Sequence, residues 1–260
     1  MTLIIGIKCS DGIVMGADGA ATLGAMGQCT IRQAKKKLDI IKEKVIVGTS
    51  GPVGLGQRIR GEIEILWEKK EFSGSKIRKP FDAMTVIRNK MWEHVGPELN
   101  AAGIARPALG DIASLDVLCF TLVALPVLGK PCLFQFDQQC APEEATDDLP
   151  FVAIGSGRLI ADPFLAFLRR IFWSNNQPTV ADGIFATYWT LDHAIRTHPG
   201  GVADPKQIVI LERKDTDWEA RELLDDQLSE HAEAITEAEN SLAGFREALR
   251  RRGEVKPPKP

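Results

Sequence analysis

The second residue of the chain, Thr2, is the first whose type and position suggest chemistry. If Met1 is removed, Thr2 offers a hydroxyl as nucleophile and an α-amine as base. An α-amine has a pKa of roughly 7.7 to 8.0, so part of it is unprotonated near neutral pH and can accept the hydroxyl proton. A Ser-His-Asp triad is less well supported, because the sequence lacks a Gly-x-Ser-x-Gly motif and its histidines lie in or just after predicted helices.

Three further residues of suitable type lie at the ends of predicted strands. Asp18 ends the second strand, Lys37 opens the third, and Gly51 ends the fourth. Antiparallel pairing of these strands would return all three to the start of the chain. Simpler interpretations stay open: Asp18 could begin an ordinary turn, Lys37 ends a run of lysines typical of a solvated face, and Gly48 is an alternative to Gly51.

Apolar periodicity predicts the elements that would position these residues. Short apolar runs indicate paired strands first, with Asp11-Gly12 as a hairpin turn. Apolar steps of three and four then indicate two helices, and the same order of strands and helices repeats. The predicted strands cover 3–8, 13–17, 38–41, 45–49, 116–125, 131–136, 151–154 and 207–211. The first predicted helix begins after Gly51-Pro52, and the others cover 80–99, 159–173 and 178–196.

This order of elements excludes a simple parallel βαβ sheet, because hairpin-connected strands are antiparallel. It predicts an α+β fold, a four-layer αββα sandwich of two antiparallel sheets between helical layers. The expected domains are a catalytic domain over 1–218, an extra C-terminal helix over 219–252 and a disordered, proline-rich tail over 253–260. Apolar residues in a heptad pattern from Leu224 to Leu249 support that helix.

Composition removes several classes of function. The 260 residues carry a formal net charge of -3 with mixed signs, which gives no basic surface for nucleic acid. The five cysteines form no metal-binding motif and are interpreted as reduced thiols. The longest apolar run, Val117 to Leu125, is far shorter than the roughly 20 residues that span a bilayer. We therefore expect a cytoplasmic protein without membrane segments.

The segment from Thr2 to Gly56 resembles β-type proteasome subunits, and its Asp-Gly-Ala-Ala-Thr-Leu-Gly run looks especially like the bacterial HslV peptidase. The strand that ends in Gly155-Ser156-Gly157 is similar to a strand of the same family. The resemblance covers residues 2 to about 213. Ordinary HslV lacks the heptad helix. Its presence here indicates a divergent bacterial lineage, such as the betaproteobacterial proteasome homologue.

The resemblance implies the N-terminal-nucleophile (Ntn) hydrolase fold and a role for each residue of the site. Lys37, held by Asp18, would favour the unprotonated amine of Thr2, the N–H of Gly51 would stabilise the oxyanion, and Ser156 would position the amine. The primary specificity pocket would be lined by Thr22, Asp39, Thr49 and Val53.

The resemblance also implies a self-compartmentalising threonine endopeptidase. Its substrate would be unfolded polypeptide or peptides, its assembly two stacked rings of six or seven subunits with seven favoured, and its partner an ATP-dependent unfoldase. No cofactor is expected, although a structural monovalent cation could lie near the loop 197–205, where Asp204 is a candidate support for the amine. The alternatives are a small-molecule Ntn amidase and a catalytically silent ring or scaffold protein.

Overall fold

The computed structural model describes residues 2–23, 31–109, 117–174, 176–198 and 201–251. The helices are α1 Val53–Glu68, α2 Pro80–Leu109, α3 Arg158–Phe172, α4 Val180–Thr197 and α5 Asp225–Arg251. The strands are β1 Ile4–Lys8, β2 Gly12–Asp18, β3 Ala20–Leu23, β4 Ile31–Ala34, β5 Leu38–Ile41, β6 Val45–Ser50, β7 Phe120–Val127, β8 Lys130–Phe136, β9 Pro142–Glu144, β10 Phe151–Ile154, β11 Lys206–Lys214 and β12 Asp217–Glu222.

Two five-stranded antiparallel sheets form the centre of the fold. The first has the order β10-β1-β2-β11-β12 and the second the order β5-β6-β7-β8-β9, while β3 and β4 form a separate ribbon. The β1–β2 hairpin pairs Ile4 with Ala17, so the residues that precede β1 lie beside the end of β2. Pairing of β2 with β11 places Asp18 opposite Lys206. These registers bring the chain start, the end of β2 and the loop before β11 together.

Alternating side chains on the second sheet separate two of the apolar layers of the interior. On β6, Val45 and Val47 join the cluster that includes α1 and α2, whereas Ile46 joins the cluster between the two sheets. Successive residues of a strand point to opposite faces, so one strand contributes to both layers. The helices α3 and α4 pack on the strands of the first sheet. The predicted four-layer αββα sandwich is therefore confirmed.

Helix α4 lies very close to strand β2. A Cβ atom on Gly16 would collide with Thr187, and one on Gly183 would lie 2.8 Å from the sulfur of Cys9. The helix begins at a capping box, in which Thr179 accepts from the N–H of Asp182 at 3.3 Å and donates its own N–H to the Asp182 carboxylate at 2.9 Å. The first sheet is thus held rigidly on its helical side.

The structure differs from the prediction after β11. Residues Asp217–Glu222 form β12, which pairs with β11 in the first sheet, so the strand predicted over 207–211 is not the last. Trp218 and Ala220 enter the apolar layer between the sheets, whereas Glu219 between them is more exposed. This alternation is typical of a half-buried strand. The placement of the helix boundary at residue 218 is wrong, because α5 begins at Asp225.

Helix α5 belongs to a separate compact unit that begins at Leu224. Its first turn carries Asp225 and Asp226 and its last turn Arg250 and Arg251, so the charges at both ends complement the helix dipole. The tail predicted over 253–260 lies outside the described residues. In the described ranges, each helix falls short of the length or the apolar character that a membrane span requires.

Candidate active site

A cleft of about 290 Å³ opens beside the start of the chain. It brings together four of the five predicted catalytic residues, from four separate segments: Thr2 before β1, Lys37 before β5, Gly51 after β6 and Ser156 after β10. The other described residues of the lining are Ala21, Lys35, Lys36, Asp39, Thr49, Ser50, Val53, Gly56 and Gln57.

The fifth predicted residue, Asp18, is fully buried at the end of β2. Its Oδ1 atom accepts hydrogen bonds from the N–H of Leu3 at 2.8 Å and from Lys37 Nζ at 2.6 Å. Its Oδ2 atom accepts from the N–H of Ala20 at 3.2 Å and the N–H of Ala203 at 3.3 Å. These four donors satisfy both oxygens of the buried side chain. Asp18 therefore does more than begin a turn.

The lysine run divides into different environments. Lys37 turns inward, where its side chain is 7 % exposed and pairs with Asp18, whereas Lys36 binds Glu222 at 2.6 Å with its side chain 71 % exposed. Burial lowers the pKa of Lys37 below its ordinary value, and the nearby charge of Lys35 lowers it further, while the ion pair with Asp18 acts in the opposite direction. Lys37 thus supplies a cation at the cleft that gives up its proton more readily than a surface lysine.

Gln207, which the sequence analysis missed, fixes the backbone at Lys37. Its side-chain carbonyl accepts from the N–H groups of Lys37 and Leu38, each at 3.0 Å, and its amide donates to the carbonyl of Leu38 at 3.0 Å. The residue is 6 % exposed and lies on β11. The available sequence signal was a polar residue directly before the apolar run from Ile208 to Leu211. This signal does not reveal which backbone groups the side chain of Gln207 would bind.

Two glycines around Ser156 bring it to the start of the chain. Gly155 has a φ of +91°, and a Cβ atom there would collide with the carbonyl oxygen of Thr2. The N–H of Gly157 donates to that carbonyl at 3.1 Å, and the N–H of Thr2 donates to Ser156 Oγ at 3.4 Å. The Gly-Ser-Gly segment therefore holds the main chain of Thr2 and places a hydroxyl beside its nitrogen.

The structure distinguishes the two candidate glycines of the oxyanion site. Gly51 lines the cleft and has a φ of +146°, and a Cβ atom there would collide with the carbonyl of Leu118. A Cβ atom on Gly48 would instead lie 2.8 Å from Leu38 and 3.1 Å from Ile4, in the layer between the sheets. The position of Gly51 is the one from which a backbone N–H could reach a substrate carbonyl.

Three of the four predicted specificity residues, Asp39, Thr49 and Val53, line the same cleft. The side chain of Thr22, on β3, lies outside the described part of the structure. The cleft also includes Ser50 and Gln57, which the sequence analysis did not select. Ser50 lies between the predicted residues Thr49 and Gly51, whereas Gln57 lies one helical turn after Val53 on α1.

The loop before β11 contributes through its backbone. The carbonyl of Ala203 accepts from the N–H of Gly19 at 2.9 Å, in addition to the bond from Ala203 to Asp18. The carboxylate of Asp204, 63 % exposed, pairs with Lys206 at 3.0 Å. Residues 199 and 200 of this loop lie outside the described residues. Over the described ranges, His, Cys, Asp and Glu side chains form no group of three or more that could hold a metal ion.

The histidines and cysteines have other environments. His94 contacts Glu62 at 3.2 Å, and His193 stacks on Phe164 with ring centroids 4.4 Å apart. The described cysteines are free and buried, and burial raises the pKa of Cys119 to about 11. Cys29 lies outside the described residues. The described lining of the cleft includes none of these side chains, so they offer no alternative nucleophile there.

Solved structures of one group match nearly the whole chain. Anbu (ancestral beta-subunit) from Yersinia bercovieri superposes with a TM-score of 0.69 at 15 % identity, over 99 % of this chain and 100 % of that one. The Anbu complex from Pseudomonas aeruginosa, a helical assembly, gives a TM-score of 0.69 at 18 % identity, over 99 % and 98 %. Anbu from Hyphomicrobium sp. strain MC1 gives 0.64 at 17 % identity, over 99 % and 100 %. No family model and no curated relative matches the sequence.

These comparisons establish the proteasome-like Ntn fold and correct the family expected from the sequence. The resemblance to HslV and the proteasome β-subunits, or to a betaproteobacterial homologue, was the wrong choice, because the matched structures are Anbu proteins. The predicted resemblance ended near residue 213, whereas the Anbu structures match 99 % of the chain.

Proposed function

We propose that this protein is an N-terminal-nucleophile threonine peptidase that hydrolyses peptide bonds of unfolded polypeptides or peptides. The observation that carries the proposal is the convergence of Thr2, Lys37, Gly51 and Ser156 on one cleft, with Lys37 held 2.6 Å from the buried Asp18. Acyl transfer uses a nucleophile with an adjacent base and a donor for the oxyanion, and the cation of Lys37 favours the neutral form of that base.

In the first half of the reaction, Thr2 Oγ attacks the carbonyl carbon of the scissile bond. The hydroxyl proton passes to the α-amine of Thr2, directly or through a water molecule, and the carbonyl electrons move onto oxygen. The oxyanion accepts a hydrogen bond from the N–H of Gly51, a type of interaction worth roughly 2.7 to 4 kcal/mol. Collapse breaks the C–N bond, the leaving amine takes the proton, and an ester remains on Thr2.

In the second half, water attacks the ester and gives its proton to the same α-amine. Collapse releases the new carboxylic acid and restores the hydroxyl of Thr2. Ser156 Oγ, 3.4 Å from the Thr2 nitrogen, positions the amine in both halves. The charge of Lys37 favours the neutral amine and stabilises the alkoxide of Thr2. The mechanism requires removal of Met1, because an amide nitrogen at Thr2 cannot act as a base.

For assembly, we propose a homo-oligomer whose clefts face an enclosed space. The Anbu complex from Pseudomonas aeruginosa is a helical assembly, whereas the sequence resemblance favoured two stacked rings. Electron microscopy of the purified protein distinguishes a closed double ring from an open helical form. Delivery of substrate by an ATP-dependent unfoldase stays a prediction.

The proposal is tested with a peptide epoxyketone, a reagent that needs both a hydroxyl and a free α-amine on one residue to close its ring. We expect a single adduct on an N-terminal Thr2 peptide by mass spectrometry, together with loss of peptide hydrolysis. An unmodified protein that retains Met1 after production in its own host would rule out the mechanism and favour a silent scaffold. An adduct in a protein that hydrolyses small amides but no peptides would favour the amidase.

A further inference from the structure

Asp39 contributes a carboxylate to the wall of the cleft. Its side chain is 58 % exposed, in contrast to the buried Asp18 beneath the site. Asp39 lies on β5, two residues after Lys37, and both residues line the cleft. The carboxylate therefore lies one step along the wall from the lysine next to Thr2.

The partner of Asp39 within the protein is held loosely. Arg60 Nε on α1 lies 3.8 Å from Asp39 Oδ1, which is longer than a hydrogen bond, and over the described residues this buried nitrogen has no hydrogen-bond acceptor. A terminal nitrogen of Arg60 lies 3.3 Å from Glu64 instead. The arrangement leaves Asp39 able to accept hydrogen bonds from a ligand in the cleft.

The described lining contains three lysines, of which Lys36 and Lys37 are each paired with a carboxylate and Lys35 is exposed. Lys36 Nζ lies 2.6 Å from Glu222 and Lys37 Nζ 2.6 Å from Asp18. Both charges are therefore largely balanced by protein carboxylates. Asp39 is the one acidic residue among the described residues of the lining, so its carboxylate is the group there that could attract a cationic side chain.

The remaining lining suits a long side chain that ends in a cation. Val53 and Thr49 offer methyl groups and Gln57 an amide. A lysine or arginine side chain can place its methylene groups against such a surface while its charged end reaches a carboxylate. Because this wall and Thr2 line the same cleft, the side chain beside the attacked carbonyl is the one that would reach it.

We infer that the cleft selects substrates with lysine or arginine immediately before the scissile bond, with Asp39 as the specificity-determining residue. The inference rests on the proposed peptidase function of the same cleft. It assigns a substrate class, basic peptides, that the fold alone does not indicate.

The test uses peptides that differ in that one residue, which is arginine, norleucine or glutamate. For the wild-type protein we expect kcat/KM for the arginine peptide to exceed that for norleucine by roughly tenfold or more, as for a hydrogen bond to a charged group. Asp39→Asn should reduce the ratio to within about twofold. Glu64→Gln, which removes another carboxylate near Arg60 from outside the described lining, should keep the arginine preference.

A second measurement separates the inference from the proposed function. In the Thr2→Ala protein, equilibrium binding of the arginine peptide should also be stronger than binding of the norleucine peptide. If the Thr2→Ala protein binds the arginine peptide more strongly but the wild-type protein cleaves none of the peptides, the basic subsite is supported and the peptidase function is rejected. Cleavage that favours norleucine or glutamate, or an arginine preference that survives in Asp39→Asn, would overturn the inference while leaving the peptidase intact.

Discussion

The main-chain N–H of Leu3 donates a 2.8 Å hydrogen bond to Asp18 Oδ1, the same oxygen that accepts from Lys37 Nζ at 2.6 Å. One buried atom thus joins the residue after the candidate nucleophile to the candidate catalytic cation. Because the main chain at Thr2 is also bound by Gly157, its position depends on contacts on both sides. This preorganisation is what a nucleophile that carries its own base requires.

Replacement of the nucleophile should remove hydrolysis without damage to the fold. We expect Thr2→Ala to abolish peptide cleavage, because the hydroxyl that forms the ester is gone, and Thr2→Ser to retain part of it. The measurement is initial rate on a fluorogenic peptide, with molecular mass by light scattering as the control for assembly. Undiminished turnover by Thr2→Ala would show that another group is the nucleophile.

Loss of the buried ion pair should lower stability far more than loss of a surface pair. Asp18→Asn leaves Lys37 buried without its counter-charge, and we expect the free energy of unfolding to fall by about 3 to 5 kcal/mol. Glu222→Gln removes the partner of the exposed Lys36 and should cost less than about 1 kcal/mol. Denaturant unfolding of both variants measures the difference, and equal losses would contradict the assigned role of Asp18.

The pH dependence of hydrolysis and of stability should depend on the titration of Lys37. Burial lowers its pKa in the folded protein, so its charge, and with it hydrolysis, should be lost at a lower pH than an ordinary lysine would give. In the window between the folded and unfolded pKa values the unfolded chain binds more protons, so Lys37 contributes stability that rises with pH. Within this pH window, hydrolysis should therefore fall although the contribution of Lys37 to stability rises.

The control for this prediction is Lys37→Met. Subtraction of its unfolding free energy from that of the wild type at each pH gives the contribution of Lys37 together with its coupling to Asp18, because the remaining titrating groups are shared. A difference that falls with rising pH through the window would show that the lysine pKa is raised instead.

Gly51 and Gly54 form a matched pair of substitutions three residues apart. In Gly51→Ala the methyl group would collide with the carbonyl of Leu118 at a φ of +146°. We expect loss of stability and a fall in kcat of roughly 100-fold or more as the oxyanion donor moves. Gly54 lies in α1, and a Cβ atom there would have no neighbour within 4 Å. Gly54→Ala should therefore keep activity and raise the free energy of unfolding by up to about 1 kcal/mol. Thermal unfolding and peptide kinetics measure both effects.

Gln207 should act as a positioning residue for Lys37. Gln207→Leu removes the acceptor of two main-chain N–H groups, so we expect a loss of roughly 1 to 3 kcal/mol in stability and a shift in the alkaline limb of the activity profile. Gln139→Leu, at an exposed turn, should change stability by no more than about 0.5 kcal/mol. A normal pH profile in Gln207→Leu would reduce Gln207 to a structural role.

Much of the architecture was predictable from local sequence pattern. Short apolar runs over 3–17 and 38–49, separated by turn residues, predict the hairpins, and apolar steps of three and four predict α1 and α2, because one buried face of a helix repeats with the helical period. The same patterns place Asp18 and Gly51 at strand ends. The order of elements then excludes a parallel sheet, which leaves the αββα sandwich as the natural arrangement.

Contacts between distant segments could not be obtained in this way. The choice of Lys37 from three adjacent lysines depends on Asp18, 19 residues away, and the backbone at Lys37 depends on Gln207, 170 residues away. The choice of Gly51 over Gly48 depends on which glycine faces the cleft and which faces Ile4. Periodicity says which side of a strand is buried but carries no information about the partner that buries it, and such pairings form only when the sheets pack.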